Sequence, residues 1–188
     1  MDPKDQARTA VSLLTPLVDT TDVAHLDWTT PCSQWNVRDL LNHVTGGGHM
    51  FAAGLRGDAI EIPAGPVDLL GDDHRRAFHS AIDAFSTALA QTDGLDKPVT
   101  LPFGTVPAEI ALRLAAGDLL VHGWDLATAT GQRFEPPAEF IRAVEGFYRA
   151  AVTDEMRAAG LFAPLNDAPA DATPLERLVA FAGRSPRR

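Results

Sequence analysis

The sequence predicts an all-α fold, a four-helix-bundle core with extra short helices joined by polar connections. Two observations predict it. Apolar residues recur at three- and four-residue spacing in several separate stretches. Segments rich in proline, glycine and aspartate punctuate those stretches.

Ala7, Ala10, Val11, Leu14 and Leu17 place a first helix over about 3–18. The polar stretch 19–35, with Pro31, reads as a loop. Asn36 has the character of an N-cap. It precedes Val37, Leu40, Leu41 and Val44, the apolar face of a second helix over 36–55. That helix runs into Gly46, Gly47 and Gly48, each costing roughly 1 kcal/mol relative to alanine. Either something offsets that cost or the helix bends or stops there.

Residues 58–71 form a Pro/Gly-rich connection. A third helix spans 72–92, with Ala77, Phe78, Ala81, Phe85, Ala88 and Leu89 on one side. Residues 99–104 suggest one short hairpin. Pro107 fits the first turn of a fourth helix, 107–130, and Gly131 fits the position just past its end. Pro136 and Pro137 open a fifth helix that carries Phe140, Val144, Phe147 and Tyr148 and is expected to close at Gly160. Residues 162–173 are a loop, and 174–182 a short last helix. There is no internal repeat. The expectation is one domain over 1–188, with its core at about 3–160 and a C-terminal loop and short helix over 161–188.

The composition is that of an ordinary globular chain: 188 residues, 45% hydrophobic and 22% charged. A formal net charge of −9 argues against nucleic acid and membrane surfaces as partners. The basic cluster found is the short tail Arg184, Arg187 and Arg188. No apolar run is long enough to span a bilayer and the N-terminus lacks a signal peptide's apolar stretch, so a cytoplasmic location is expected. The single cysteine, Cys32, is read as structural and wholly or partly buried, not as a catalytic thiol.

The residues that could carry chemistry lie on the second and fourth helices. Asp118 and His122 are four apart, which stacks them on one face a turn apart. Asp125 shares that face, and the second helix offers His43. Three N/O ligands from two facing helices would leave coordination positions open, as catalytic metal sites do. Such ligands suit zinc, nickel or iron, with zinc the leading candidate. The spacing alone serves another reading equally well: a satisfied core histidine and an ordinary i, i+4 pair. The apolar flanks Leu119, Leu120 and Val121 argue that the Asp118–His122 pair is buried, where it needs partners. Gly46 and Gly47, three and four residues beyond His43, either leave open space over an ion or mark a kink or close helix packing. His49 points elsewhere. His74 and His79, on a polar third helix, are expected to be exposed, and His25 lies in a loop. The stripe Phe140, Phe147 and Tyr148 reads as core. A phosphate loop, a nucleophile elbow and a paired-cysteine zinc motif are all absent.

The segment Thr30-Pro31-Cys32-Ser33-Gln34-Trp35-Asn36-Val37-Arg38-Asp39-Leu40-Leu41-Asn42-His43-Val44 resembles the start of the DinB-like metal-binding bundles. The segment Asp118-Leu119-Leu120-Val121-His122-Gly123-Trp124-Asp125-Leu126-Ala127 resembles their second motif. The resemblance covers roughly the first 130 residues and is strongest to the actinobacterial group that includes mycothiol-dependent maleylpyruvate isomerase. It implies His43, Asp118 and His122 as metal ligands and Asp125 as the residue that supports them. Two features depart from that isomerase. Asp118 replaces a usual glutamate, and the stretch after Gly160 leaves room for only a loop and a short helix where the isomerase carries a sterol-carrier-like domain. The resemblance implies a divalent ion, mycothiol or a similar thiol as cosubstrate, and a small electrophile; a homodimer stays open. The activity implied is a thiol transferase or an isomerase. The alternative is a non-catalytic metal-binding or stress-response protein of the same fold.

Overall fold

The structure is a computed structural model that describes residues 1–60, 65, 67–160 and 162–186. The middle of the Pro/Gly-rich connection (61–64 and 66) and Arg187 and Arg188 of the basic tail lie outside these. Seven α-helices, one 3-10 turn (Val23–His25) and one two-stranded hairpin make up the regular structure of the described residues.

Helix α1 (Pro3–Thr20) starts where the Asp2 carboxylate accepts the Lys4 amide at 2.8 Å. It buries Ala7, Ala10, Leu14 and Val18. Helix α2 (Val37–Arg56) opens on a reciprocal capping box: the Asn36 side chain accepts the Asp39 amide, and the Asp39 carboxylate accepts the Asn36 amide. The helix runs unbroken through Gly46–Gly48. Packing helps offset the glycine cost. A Cβ on Gly48 would lie 3.1 Å from Ala81 Cβ and 3.3 Å from the Ala81 backbone, so a bare Cα lets α2 press against α3 (His74–Gln91).

Strands β1 (Pro98–Leu101) and β2 (Gly104–Pro107) form the short antiparallel hairpin. Its Val99 and Leu101 side chains lie against α2 at Gly54. Helix α4 (Ala108–Thr130) follows directly, so Pro107 caps it from outside rather than occupying its first turn. It is apolar nearly all round because α1, α2, α5 and the hairpin all pack on it. Gly131, at φ 68°, takes the left-handed conformation that closes it.

The four long helices close a ring, with α4 between α1 and α2 and α3 against both α1 and α2. Two apolar clusters fill it. One gathers Leu14, Leu40, Leu41, Phe78, Leu120 and Phe140. The other gathers Phe51, Phe85, Leu89, Val99 and Leu112 toward the hairpin. Burying each such side chain contributes about 1.5–3 kcal/mol.

Two further expectations need correction. The fifth helix does not run to Gly160. Helix α5 (Ala138–Ala151) stops at an extended Val152, and a five-residue helix α6 (Asp154–Ala158) starts anew with Thr153 accepting the Met156 amide. A β-branched pair, Val152-Thr153, interrupts the helix here. Second, His74 is buried, with Nε2 3.2 Å from the Thr21 carbonyl oxygen. It sits in the first turn of α3, pressed against the end of α1; a polar helix sequence does not reveal such an end contact. His79 is exposed as expected and pairs with Asp19 at 2.7 Å. Helix α7 (Pro174–Phe181) packs on α5. Among the described residues no helix is long and apolar enough to cross a membrane.

Candidate functional site

Helices α2 and α4 bring His43, Asp118 and His122 together. His43 Nε2 lies 3.1 Å from Asp118 Oδ1, and His122 Nε2 lies 3.5 Å from the same oxygen. The two imidazole rings meet edge-on, 4.8 Å between centroids. The ligating atoms of all three residues lie within 4.8 Å of one another, close enough to share one cation. Burial is graded: His122 is 8% exposed, Asp118 30% and His43 39%, so the cluster opens outward from α4. The expectation of a buried Asp118–His122 pair therefore holds for the histidine, while the carboxylate is half-buried.

Asp125 stands behind His122. Its Oδ2 is 3.0 Å from His122 Nδ1, and the carboxylate is fully buried. A carboxylate can only accept, so His122 carries its proton on Nδ1 and presents a free Nε2 lone pair to the cluster. Arg184 holds the other side of Asp125. Its Nε donates to both carboxylate oxygens at 3.2 Å, its Nη2 donates to Oδ2 at 2.7 Å, and its Nη1 donates to the Ala182 carbonyl at 2.8 Å. The sequence placed Arg184 in a basic tail, but it is a buried arginine in a bidentate ion pair 59 residues from its partner. A detectable signal was the accounting itself: a buried Asp125 needs a cation, and Arg184 follows an apolar helix and a glycine. Gly183, at φ 88°, makes the turn, and a Cβ there would collide with Ala163.

Two aromatic residues line the walls: Trp35, read from the sequence as the end of a loop, and Tyr148, read as core. Trp35 stacks on His122 at 5.4 Å and tilts against His43 at 4.8 Å. It is held by a tight loop in which the Thr30 amide and hydroxyl both donate to the Trp35 carbonyl, the Trp35 amide donates to the Cys32 carbonyl, and Gln34 adopts φ 78°. That φ is uncommon for a residue other than glycine, and such conformations concentrate at functional loops. Tyr148 of α5 lies flat over Gly117, where a Cβ would stand 2.5 Å from its ring and hydroxyl. Gly117 thus seats the phenol beside Asp118.

The electrostatics follow the same layout. Burial lowers the basicity of His43, but the adjoining Asp118 carboxylate outweighs it and raises the pKa above the usual histidine value. Burial pushes the Asp118 carboxyl up; His43 and His122, with a smaller contribution from Arg184, pull it down to about 2. Asp125 is likewise opposed by burial and held below the usual carboxylate range by His122 and Arg184. Burial raises the pKa of Tyr148, so its phenol stays protonated. Burial also raises that of Cys32, which is half-buried and remains a thiol, as a structural cysteine would.

Cys32, His122 and Asp125 also lie within mutual reach of one ion. Asp125, however, already spends its oxygens on Arg184 and on His122 Nδ1. The Asp118 carboxylate is partly open and faces Nε2 of both histidines, which makes His43, Asp118 and His122 the better cation cradle once the His43 proton is displaced.

Of the two glycines, Gly47 has nothing within 4 Å of a would-be Cβ and faces open space. Gly46 does not; a Cβ there would meet Leu69 Cδ1 at 3.2 Å, because the connection after α2 folds back over it. Two cavities meet at His43 and Asp118. One is a polar cleft of about 680 Å³ bordered by Cys32, Gln34, Trp35, His122, Arg157 and Arg184. The other is a smaller, mostly apolar chamber of about 170 Å³ beyond Gly47. Tyr148 lines both.

The chain has relatives of known sequence and structure. Uncharacterized protein Rv0738 and uncharacterized protein MT0763, from two strains of Mycobacterium tuberculosis, are each 33% identical to this chain over 188 residues, 100% of both lengths. Crystal structures of mycothiol-dependent maleylpyruvate isomerase superpose with TM-scores of 0.58, and of 0.61 for a histidine-to-alanine mutant, at 17% and 16% identity. Each match covers 75% of this chain and 65% of the isomerase chain, so the likeness establishes the fold and spans under two thirds of that enzyme. The family model for the mycothiol maleylpyruvate isomerase N-terminal domain matches residues 7–127, a span that holds His43, Asp118, His122 and Asp125 but stops short of Tyr148 and Arg184. The chain belongs to the mycothiol maleylpyruvate isomerase N-terminal domain family.

Proposed function

We propose that this protein holds one divalent cation, zinc first among candidates and nickel or iron next, on His43, Asp118 and His122, and that it directs a small thiol of the mycothiol type against a small electrophile. The observation that carries this reading is the convergence of those three side chains, with the His122 tautomer fixed by Asp125, at the junction of two cavities. The activity would be a thiol transfer or an isomerisation.

A cation in this cradle supplies a Lewis acid that lowers the pKa of a thiol reaching it. The remaining work falls to the chain. Asp125 and Arg184 fix the His122 ring, as supporting carboxylates do in metal sites. The polar cleft, with Arg157, Gln34 and Trp35 on its borders, suits a hydrophilic thiol. Gly47 keeps the space beside His43 open. Tyr148, protonated at the junction, can donate a hydrogen bond to the reacting partner. In the bond-forming step the sulfur pair attacks the electrophilic carbon and its proton leaves to water. The leaving group departs with its bonding pair, or, in an alkene, the π pair moves to the neighbouring carbon and takes up a proton.

The reading treats residues 1–188 as one domain, because Arg184 closes the site from outside the matched family span. It places the protein in the cytoplasm, where free thiols are kept reduced. The test is a calorimetric titration of mycothiol into zinc-loaded wild type and Ser33→Trp. Wild type should bind, and the variant should keep its zinc but lose the thiol, because tryptophan fills the polar cleft that Ser33 lines without altering a ligand. A fully loaded wild type with no affinity for mycothiol or other small thiols would leave the non-catalytic metal-binding alternative.

A further inference from the structure

The smaller of the two cavities differs from the polar cleft in its lining. Its walls beyond the site are Met50, Phe51, Phe103, Leu114, Met156 and Phe162, brought together from α2, the hairpin turn, α4, α6 and the segment after it. It reaches the candidate site directly, since His43, Gly47, Asp118 and Tyr148 also line it. Among the described residues that line it there is no lysine or arginine. The two arginines of the neighbouring cleft are committed elsewhere: Arg184 to Asp125 and the Ala182 carbonyl, Arg157 to the carbonyls of Ala163 and Phe181.

We infer that this chamber is the electrophile subsite and that it selects a small, uncharged, apolar electrophile of about one aromatic ring. This rests on the thiol-dependent reading above. Three observations support it. The first is size: an apolar cavity of about 150 Å³ holds a benzene molecule, and this one is about 170 Å³. The second is chemistry. Phenylalanine faces and two methionine thioethers favour an aromatic or aliphatic guest through packing and sulfur–ring contacts. The third is charge. The Asp118 carboxylate sits in the wall; an ion held at His43 could meet one carboxylate of a guest, but a second one deeper in the chamber would lose its hydration with no lysine or arginine to replace it. A dicarboxylate is therefore a poor occupant. The hydrophilic thiol enters by the polar cleft, the apolar electrophile by the chamber, and the two meet at His43 and Asp118. The C–S bond then forms as described above, with no further reactant.

The test measures binding, not turnover. Zinc-loaded protein is titrated separately with 1-chloro-4-nitrobenzene, a neutral aromatic electrophile, and with phthalate, a dianion of similar size, both without thiol. Wild type should bind the neutral probe saturably at one site and phthalate at least tenfold more weakly. Leu114→Trp, and independently Met50→Trp, should weaken the neutral probe at least tenfold while leaving the affinities for zinc and mycothiol within about threefold. Using two variants guards against one that misfolds, which the zinc titration would expose. No saturable binding of the neutral probe, phthalate binding as tightly, or folded variants that bind the probe like wild type would overturn the assignment. If the probe pattern holds but mycothiol does not bind wild type, the thiol reading falls and the chamber stands as an apolar ligand site.

Discussion

Asp118 and Asp125 lie seven residues apart on one face of α4, flank the same imidazole, and live in opposite environments. Asp118 is 30% exposed, faces two imidazole nitrogens, and opens onto both cavities. Asp125 is sealed, bound bidentately by Arg184 and by His122 Nδ1. One helix face thus carries an acid left free to take a ligand and an acid consumed in holding the first one's neighbour. The difference teaches that position on a helix predicts which residues meet, whereas the segments that close over them decide what each can do.

That contrast breaks most visibly in stability. Arg184→Ala strands a buried carboxylate and should destabilise the protein by about 3–5 kcal/mol. Asp118→Ala removes a half-exposed pair and should cost about 1 kcal/mol or less. Urea unfolding of the metal-stripped variants compares the two directly; equal costs would erase the distinction. Next in size is Gly117→Ala. A Cβ 2.5 Å from Tyr148 forces that ring off its seat, at about 1–3 kcal/mol, with a change in the tyrosine's near-ultraviolet signal.

A smaller effect sharpens the contrast through pH. The raised pKa of His43 means its pairing with Asp118 stabilises the metal-free protein fully below about 6.5, the ordinary histidine value, and less as pH rises through the raised one. The depressed pKa of Asp118 gives stability that is present above 3.8 and lost as pH falls toward about 2. Metal-free wild type should therefore unfold at slightly lower temperature at pH 9 than at pH 6, and Asp118→Ala should flatten that difference. Metal binding should show the opposite sign, because the His43 proton must leave before its nitrogen can coordinate. Zinc affinity should rise between pH 5.5 and 7.5 with proton release. An affinity that falls over that range would contradict a role for His43 as ligand.

How much of this was legible in the sequence follows the same division. The helices announced themselves by periodicity, and Asp118 and His122 by their four-residue spacing, because both signals are local. His43 required pairing two helices, and the two family-like segments supplied that. Arg184 was hidden because its meaning depends on a contact with Asp125 and on a left-handed turn at Gly183. Tyr148 was hidden because an aromatic residue beside a site and one in a core have the same spacing, and Trp35 because it lies in a loop, where no periodicity shows which way a side chain turns. The break at Val152-Thr153 and the buried His74 were missed because each is decided at a helix end, where tertiary neighbours outweigh pattern.

The central claim is that His43, Asp118 and His122 hold one ion while Asp125 supports them. The most direct measurement is a competitive zinc titration against a chromophoric chelator, using stripped wild type, Asp118→Ala, His122→Ala and Asp125→Asn. The account predicts one zinc per wild-type chain, loss of nearly all affinity in the first two variants, and a decrease of about 10–100-fold in the third. Asp118→Ala and His122→Ala proteins that bind one zinc as tightly as wild type would contradict it.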